Sequence, residues 1–116
     1  MSKIALLNAF SLNMLPAGTE VTKVAFVEIG LEMAKKMVSV LGFQSAIGHA
    51  DTASLVSALL ETKVEVARAT LQIPPRAYGV APWRALVAQY SGPRLEEGAT
   101  SLPEGASIRW ISVYVD

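Results

Sequence analysis

The fold is decided near the start of the chain, by the stretch Lys3-Ile4-Ala5-Leu6-Leu7-Asn8-Ala9. In an extended conformation this stretch is apolar on both faces, which is typical of an interior strand that is covered on both sides. We therefore expect it in the middle of a sheet. Asn8, Ser11 and Asn13 cluster where the strand should end, before Pro16-Ala17-Gly18 forces a turn. That polar end is a candidate ligand rim.

Further along the chain, segments rich in β-branched or alternating apolar residues predict more strands. They cover residues 21–27, 65–73, 83–90 and 108–115, with a short extended piece at 43–47. Arg68 should lie on the less apolar side of the segment 65–73. Prolines and glycines predict loops over residues 74–82 and 91–105, and the second loop should be exposed and mobile.

Two helices are predicted from apolar stripes with helical spacing. The first stripe consists of Met33, Ala34, Met37, Val38 and Leu41, and the second of Leu55, Val56, Leu59 and Leu60. Glu32 and Lys36 should pair on the first helix, and Gly42 should end it. Asp51 is a good N-cap residue for the second helix. These elements predict an α/β fold, with residues 1–116 forming a single domain that holds a mixed sheet of about five strands flanked by helices.

Composition limits the kind of function. At 116 residues, 52% of them hydrophobic and 17% charged, the chain suits one domain with a continuous core. It has 10 basic and 10 acidic residues, so no overall positive field favours a long DNA or RNA partner. Without cysteine and with one histidine, it lacks the residues for a disulfide framework or a multi-histidine metal site. We expect no metal and no cofactor. The lack of an apolar run long enough for a signal peptide or membrane span predicts a cytoplasmic protein.

The single histidine, His49, should lie just before the N-terminus of the second helix. Histidine is the side chain type that changes protonation near neutral pH, and backbone N–H groups at a helix N-terminus bind phosphate oxygens. The helix dipole disfavours the imidazolium form, whereas a bound phosphate favours it. From its position alone, however, His49 could equally be an exposed loop histidine with no chemical role.

Arg94 and Glu97 lie three residues apart in the predicted loop over residues 91–105. Arginine binds phosphate through two parallel hydrogen bonds, and a glutamate can orient a neighbouring histidine or arginine. The alternative is a solvated charged loop, and Arg68 has the same ambiguity. Spacing and composition alone therefore lead to a small α/β domain with one suggestive histidine.

Four sequence motifs, in order along the chain, resemble those of one known family. They are Asn8-Ala9-Phe10-Ser11-Leu12-Asn13-Met14-Leu15, then Ser45-Ala46-Ile47-Gly48-His49 with Asp51-Thr52, then Arg68, and finally Arg94-Leu95-Glu96-Glu97-Gly98. Together they are similar to the viral type III anti-CRISPR ring nucleases. The resemblance runs from residue 8 to residue 98, with weaker similarity over residues 112–116. The main departure is the longer, proline-rich stretch over residues 74–82.

The resemblance implies an enzyme that opens cyclic tetra-adenylate, the second messenger of type III CRISPR systems, without a metal. Members of the family are homodimers that bind the ring across their two-fold interface. By this resemblance His49 is the general acid, which protonates the leaving 5′-oxygen while the adjacent ribose 2′-hydroxyl attacks phosphorus. The products are linear di-adenylates with a 2′,3′-cyclic phosphate, and their formation shuts off the CRISPR ancillary effectors. Arg94 would stabilise phosphate charge and Glu97 would orient His49 or Arg94.

The same motifs imply a set of ligand contacts. These are Asn8, Phe10, Ser11, Asn13, Ile47, Gly48, Ala50, Asp51, Arg68, Arg94 and Leu95.

Two other functions remain open. The chain could bind cyclic oligoadenylate as a sponge or sensor without cleaving it, or it could be a DNA-binding regulator, which the absence of a basic helix face disfavours. The sequence also leaves open whether the protein acts for a virus or for the prokaryotic cell whose cytoplasm we expect it to occupy.

Overall fold

A computed structural model describes residues 3–116 as a five-stranded mixed sheet with two α-helices. In chain order, the elements are β1 (Ile4–Leu7), β2 (Val24–Ile29), α1 (Leu31–Leu41), β3 (Phe43–Ser45), α2 (Ala50–Leu60), β4 (Arg84–Ser91) and β5 (Ser107–Val115). The strand order is β2-β5-β4-β1-β3. Strand β1 is parallel to both of its neighbours, and β5 is antiparallel to both of its own. This architecture confirms the α/β expectation.

The first strand is an interior strand covered on both faces, as its sequence predicted, although it lies next to the edge strand and β4 is the middle one. All four residues of β1 are buried, because β1 lies between β3 and β4 and both faces of the sheet are covered. Ile4 and Leu6 pack into one apolar cluster, and Ala5 and Leu7 into another on the opposite face. The alternation follows from the two-residue period of a strand.

Both helices pack on the same face of the sheet. Ala34, Met37 and Val38 of α1 join Val56 and Leu60 of α2 in the cluster that contains Ile4. The other face carries no α-helix in the described part of the chain. It is covered by irregular segments and the short 3-10 helix Leu12–Met14, with partly buried side chains that include Phe10, Met14, Leu15 and Leu71. Neither helix is long and apolar enough to cross a membrane, as judged over residues 3–116.

The predicted strand over residues 65–73 is wrong. This segment is irregular, and backbone hydrogen bonds attach it to the body of the protein, from Ala67 N–H to Ile47 O (2.9 Å) and from Ile73 N–H to Met14 O (2.7 Å). Its alternating pattern arises because one side, including the fully buried Ile73, covers the second face of the sheet. The fifth strand is instead β3, within the short extended piece predicted at 43–47.

Three predictions for the first helix concern individual residues, and two of them are wrong. Met33 is 51% exposed rather than buried in the core, because it lies at the margin of the stripe whose buried members are Ala34, Met37 and Val38. The predicted pair of Glu32 with Lys36 is also wrong, since Lys35 contacts Glu32 (3.4 Å) and Glu61 (2.6 Å) instead. The predicted stop is confirmed: Gly42 has φ 73° and donates its N–H to Val38 O.

Candidate functional site

The second helix begins two residues earlier than the sequence suggested, and this places His49 at its very start. His49, not Asp51, is the N-cap residue of α2, with φ −120° and ψ 128°. Its carbonyl oxygen accepts the first helical hydrogen bond, from Ala53 N–H at 2.9 Å. Asp51 lies in the first turn, where its carboxylate accepts the N–H of Thr52 at 2.7 Å. Within residues 3–116 the N–H groups of Ala50 and Asp51 have no backbone acceptor outside the helix, and such donors are what a helix N-terminus offers to an anion.

His49 opens onto a shallow cleft of about 280 Å³. Its lining residues are His49, Ala50, Asp51, Arg68, Arg94, Leu95 and Glu97. The cleft lies beyond the carboxyl ends of the parallel strands, since His49 follows β3 and Arg94 follows β4. This edge of an α/β sheet is the usual place for a ligand, because the connecting loops meet there. The fold thus brings together residues from three segments that are far apart in sequence.

Arg68 belongs to the irregular segment that replaced the predicted strand, and it is held beside His49. Its Nε donates a hydrogen bond to Gly48 O at 3.0 Å. The two residues pack closely, since a Cβ at position 48 would lie 3.4 Å from Arg68 Cγ, in ordinary van der Waals contact. The Nε bond leaves the outer nitrogens of the guanidinium available to a ligand.

The Arg94–Glu97 loop is fixed to the body at its centre and at both ends. Leu95 is 7% exposed, although its neighbours Arg94 and Glu96 are exposed. Before it, Tyr90 Oη donates to Pro93 O at 2.5 Å, and after it Ala99 N–H closes a turn on Glu96 O at 3.2 Å. The buried leucine therefore directs the charged side chains on either side of it toward solvent and the cleft.

A serine of α2 ties this loop to the helix that starts at His49. Ser54 Oγ donates to the carbonyl oxygen of Ala99 at 2.9 Å, across 45 residues of sequence. Ser45 has a similar role on the other side of the cleft, where its Oγ donates to Glu65 O at 2.6 Å and steadies the segment that carries Arg68. Ser45 begins the motif that ends at His49, but the sequence assigned no contact to it and did not single out Ser54, because a hydroxyl that bonds a distant carbonyl leaves no local pattern.

The base of the same loop depends on Gly92. It has φ 152°, and a Cβ there would lie 2.6 Å from Ala106 Cβ and 2.9 Å from Ala106 Cα. Only glycine fits this close approach between the two ends of the loop. The loop composition suggested glycine flexibility in general, but it did not single out this position.

Several predicted ligand residues lie elsewhere. Ile47 is fully buried in the helix-side core, so its side chain cannot contact a ligand, although its carbonyl oxygen holds Ala67. Phe10 packs over the opposite face and makes an edge contact with Phe26. Ser11 and Asn13 continue along that segment, and Asn13 O accepts a hydrogen bond from Gln72. Asn8 is half-buried at the carboxyl end of β1. The His49 cleft is lined by none of the residues Asn8, Phe10, Ser11 and Asn13.

The charges around the cleft are unpaired. Over residues 3–116, no ion pair within 4.0 Å involves Arg68, Arg94, Asp51 or Glu97. Two cationic and two anionic side chains therefore face one cleft, which gives no strong net field but leaves both arginines free to bind an anion. The described residues contain no group of three or more acidic or histidine side chains placed to hold a metal ion.

Comparison with known proteins gives the family of this chain. A family model described as STIV B116-like matches residues 4–108. The chain belongs to the STIV B116-like family. Among solved structures, it is similar to B116 of Sulfolobus turreted icosahedral virus, with 25% sequence identity, a TM-score of 0.73, and coverage of 97% of this chain and 99% of that chain. A comparison with curated proteins gave no significant match. Family membership and the structural match support a viral origin, one of the two origins that the sequence left open.

Proposed function

We propose that this protein is a metal-independent ring nuclease that opens cyclic tetra-adenylate and so shuts off type III CRISPR ancillary effectors. The observation that carries the proposal is the convergence of His49, Arg68, Arg94 and Glu97 on one cleft. These are the same four residues that the sequence motifs indicate independently of the fold. These four side chains are spread over 48 positions of the sequence. If they were only solvated surface residues, we would not expect all of them to line one cleft.

The proposed chemistry needs only groups of this chain and of the nucleotide. The ribose 2′-oxygen attacks the adjacent phosphorus, the bond from phosphorus to the 5′-oxygen breaks, and the 2′-hydroxyl proton passes to solvent. His49 gives its proton to the departing 5′-oxygen and is reprotonated from water. The free N–H groups at the start of α2 and the guanidinium of Arg94 stabilise the charge on the phosphoryl oxygens in the transition state.

The size of the cleft supports the expected homodimer. At about 280 Å³ it is slightly below the range of roughly 300–1,000 Å³ that is typical of pockets for drug-sized ligands. One chain therefore holds only part of a four-nucleotide ring. A second hollow of about 360 Å³, lined by small residues such as Ala46 and Ala67, adjoins the other side of His49 and Arg68. In a two-fold dimer, each half of the ring meets the same set of groups.

Glu97 and Asp51 have separate parts in this scheme. Asp51 is occupied with the N–H of Thr52, so its carboxylate maintains the first turn of α2. Glu97 is exposed and outside any ion pair in the described residues, and it lines the same cleft as His49 and Arg94. It is therefore the carboxylate we assign to orienting His49 or Arg94 when ligand is bound.

The test is a turnover assay with cyclic tetra-adenylate in excess chelator. We expect wild type to give linear di-adenylates whose masses include a 2′,3′-cyclic phosphate. His49→Ala should lower the rate by at least about a hundredfold, the typical contribution of a general acid. Arg109→Gln is the matched control for Arg94→Gln, because Arg109 pairs with Glu28 on the sheet and lies outside the cleft lining. Only the Arg94 variant should be impaired.

Other outcomes would select other functions. Tight binding of the ring without products would favour a sponge or sensor. Loss of turnover in chelator would refute the metal-independent mechanism. Salt-dependent duplex binding would favour a DNA-binding regulator, although α2 carries no Lys or Arg and Lys35 of α1 is engaged by two glutamates.

A further inference from the structure

An arginine at the other end of the molecule has no partner in the described structure. Arg84 begins β4, and its Nε is buried without a hydrogen-bond partner among residues 3–116. No carboxylate of the described residues lies within salt-bridge distance of it. Half-buried guanidinium groups are normally paired, because an unmade hydrogen bond to a charged group costs more than one to a neutral group.

Two aromatic rings hold this arginine in place. Its guanidinium carbon lies 4.7 Å from the ring centroid of Trp83 and 4.7 Å from that of Tyr114. The two ring centroids are 6.3 Å apart, and their planes are inclined by 31°. Contact with both rings fixes the plane of the guanidinium while leaving its N–H edge without an acceptor. Such an arginine is preorganised for a planar, two-point contact with an oxyanion.

A neighbouring arginine provides an internal comparison. Arg76 also lies over Trp83, with its guanidinium carbon 5.8 Å from the ring centroid, but Asp116 neutralises it at 3.1 Å. Two arginines therefore share one tryptophan, and only one of them has a carboxylate. The difference indicates that the unpaired state of Arg84 is a property of its own position rather than of an arginine-rich surface.

Beside Arg84 there is a small hollow of about 70 Å³. It is lined by Lys3, Ile4, Leu41, Trp83 and Arg84. A water molecule occupies about 30 Å³ of liquid volume, so the hollow has room for roughly one oxyanion group and not for a nucleotide. Lys3 supplies a second positive charge, and Ile4 and Leu41 provide an apolar wall. Among the residues from 3 to 116, no acidic side chain lines it.

We propose that Arg84 and Lys3 form an oxyanion-binding site, which accepts a phosphate or carboxylate group at the Arg84 fork. The site is distinct from the His49 cleft. Arg84 begins β4 whereas Arg94 follows its end, and the eight residues of that strand span about 25 Å. This inference does not depend on the proposed nuclease activity.

The test uses the full ¹⁵N-labelled chain and follows the arginine Nε–H and tryptophan indole signals by NMR. Sodium phosphate, sodium acetate and sodium chloride are titrated separately at matched ionic strength and fixed pH. We expect saturable shifts of the Arg84 and Trp83 signals with phosphate, with acetate or with both, and no saturable shift with chloride. The pattern identifies which group the site prefers.

Variants make the result specific to Arg84. In Arg84→Gln we expect at least a tenfold loss of affinity, whereas Arg76→Gln should bind as wild type does. Arg84→Lys keeps the charge without the planar fork and should bind more weakly than wild type, and the indole signal of the buried Trp110 verifies that each variant is folded. The proposal is overturned if neither anion binds, if chloride acts as they do, or if folded Arg84→Gln or Arg84→Lys retains full affinity. Ring opening by Arg84→Gln is measured separately and should be unchanged.

Discussion

Arg68 reaches back to the backbone next to His49, where its Nε donates a 3.0 Å hydrogen bond to the carbonyl oxygen of Gly48. The two residues are 20 positions apart in the sequence. Their contact connects the irregular segment over residues 65–73 to Gly48, which precedes the N-cap residue His49. Arg68 therefore has two tasks in the proposed site. It fixes the chain beside His49 through Nε, and it offers its outer nitrogens to the ligand.

The first prediction concerns this double task. Arg68→Lys keeps the positive charge but cannot hold the Gly48 carbonyl and a phosphate at the same time, so we expect about a tenfold weaker affinity for cyclic tetra-adenylate, equivalent to about 1.4 kcal/mol. Affinity is measured by calorimetry in a His49→Ala background, so that the ligand is not consumed. Arg109→Lys in the same background is the control. Equal affinity of the Arg68 variant and the control would remove Arg68 from the site.

The second prediction concerns the base of the charged loop. Gly92→Ala combines a positive φ with a collision against Ala106, so we expect a loss of about 3 kcal/mol in the free energy of unfolding. Gly98→Ala is the matched control. Gly98 has φ 75° but nothing within 4 Å of its Cβ position, so we expect a loss of about 1 kcal/mol. Chemical denaturation of both variants gives the comparison, and equal losses would contradict the predicted collision.

The third prediction separates the anchoring of the loop from the stability of the helix. Ser54→Ala removes the hydrogen bond to Ala99 O, so the Arg94–Glu97 loop should open more often. We expect faster amide exchange in the loop and a turnover rate lowered about fivefold, corresponding to roughly 1 kcal/mol.

Ser57→Ala is the control for this experiment. Its Oγ bonds Ala53 O and Val64 N–H, and neither of these groups belongs to the loop. We expect this variant to lose stability while its loop exchange stays as in wild type. Faster loop exchange in both variants would show that Ser54 acts only through the helix.

The fourth prediction is a dependence of stability on pH at the edge of the sheet. Two hydrogen bonds from Arg109, at 2.7 Å and 3.1 Å, hold the pKa of Glu28 below its ordinary value of 4.5. Because the folded-state pKa is depressed, the pair stabilises the protein above pH 4.5, and this stabilisation is lost as the pH falls through the folded-state value.

Denaturation of wild type and Glu28→Gln over a pH series measures this effect. We expect wild type to be the more stable at neutral pH and the two proteins to converge in acid. Glu20→Gln is the control, since Glu20 is exposed and outside any ion pair in residues 3–116. A difference between wild type and Glu28→Gln that persists below the folded-state pKa would contradict the assignment.

The sequence predicted the parts of the fold that depend on burial. The β1 strand reads as apolar on both sides because both of its faces are covered, and Gly42 ends α1 because only a residue without a side chain adopts its conformation easily. The segment 65–73 failed for an equally physical reason. A chain that covers one face of a sheet alternates in polarity as a strand does, and alternation alone does not say whether a neighbour supplies hydrogen bonds.

For the candidate site, the sequence supplied residues but no geometry. His49, Arg68, Arg94 and Glu97 were picked out by motif resemblance, and the fold brings them to one cleft. The contacts that hold them, such as Ser54 to Ala99 O, join segments 45 residues apart and leave no local pattern to detect. The earlier start of α2 has a local cause. Asp51 is a good N-cap by residue type, but its carboxylate accepts the N–H of Thr52 within the first turn, and His49 is the N-cap.

The proline-rich stretch over residues 74–82 marks the main departure from the ring nucleases that the sequence resembles. It leads directly into Arg84, at the amino end of β4, whereas the cleft residues follow the carboxyl ends of β3 and β4. The rigid length of β4 separates the two. The length of the proline-rich stretch can therefore change at the amino end of β4 without moving the residues that line the cleft at the other end of the strand.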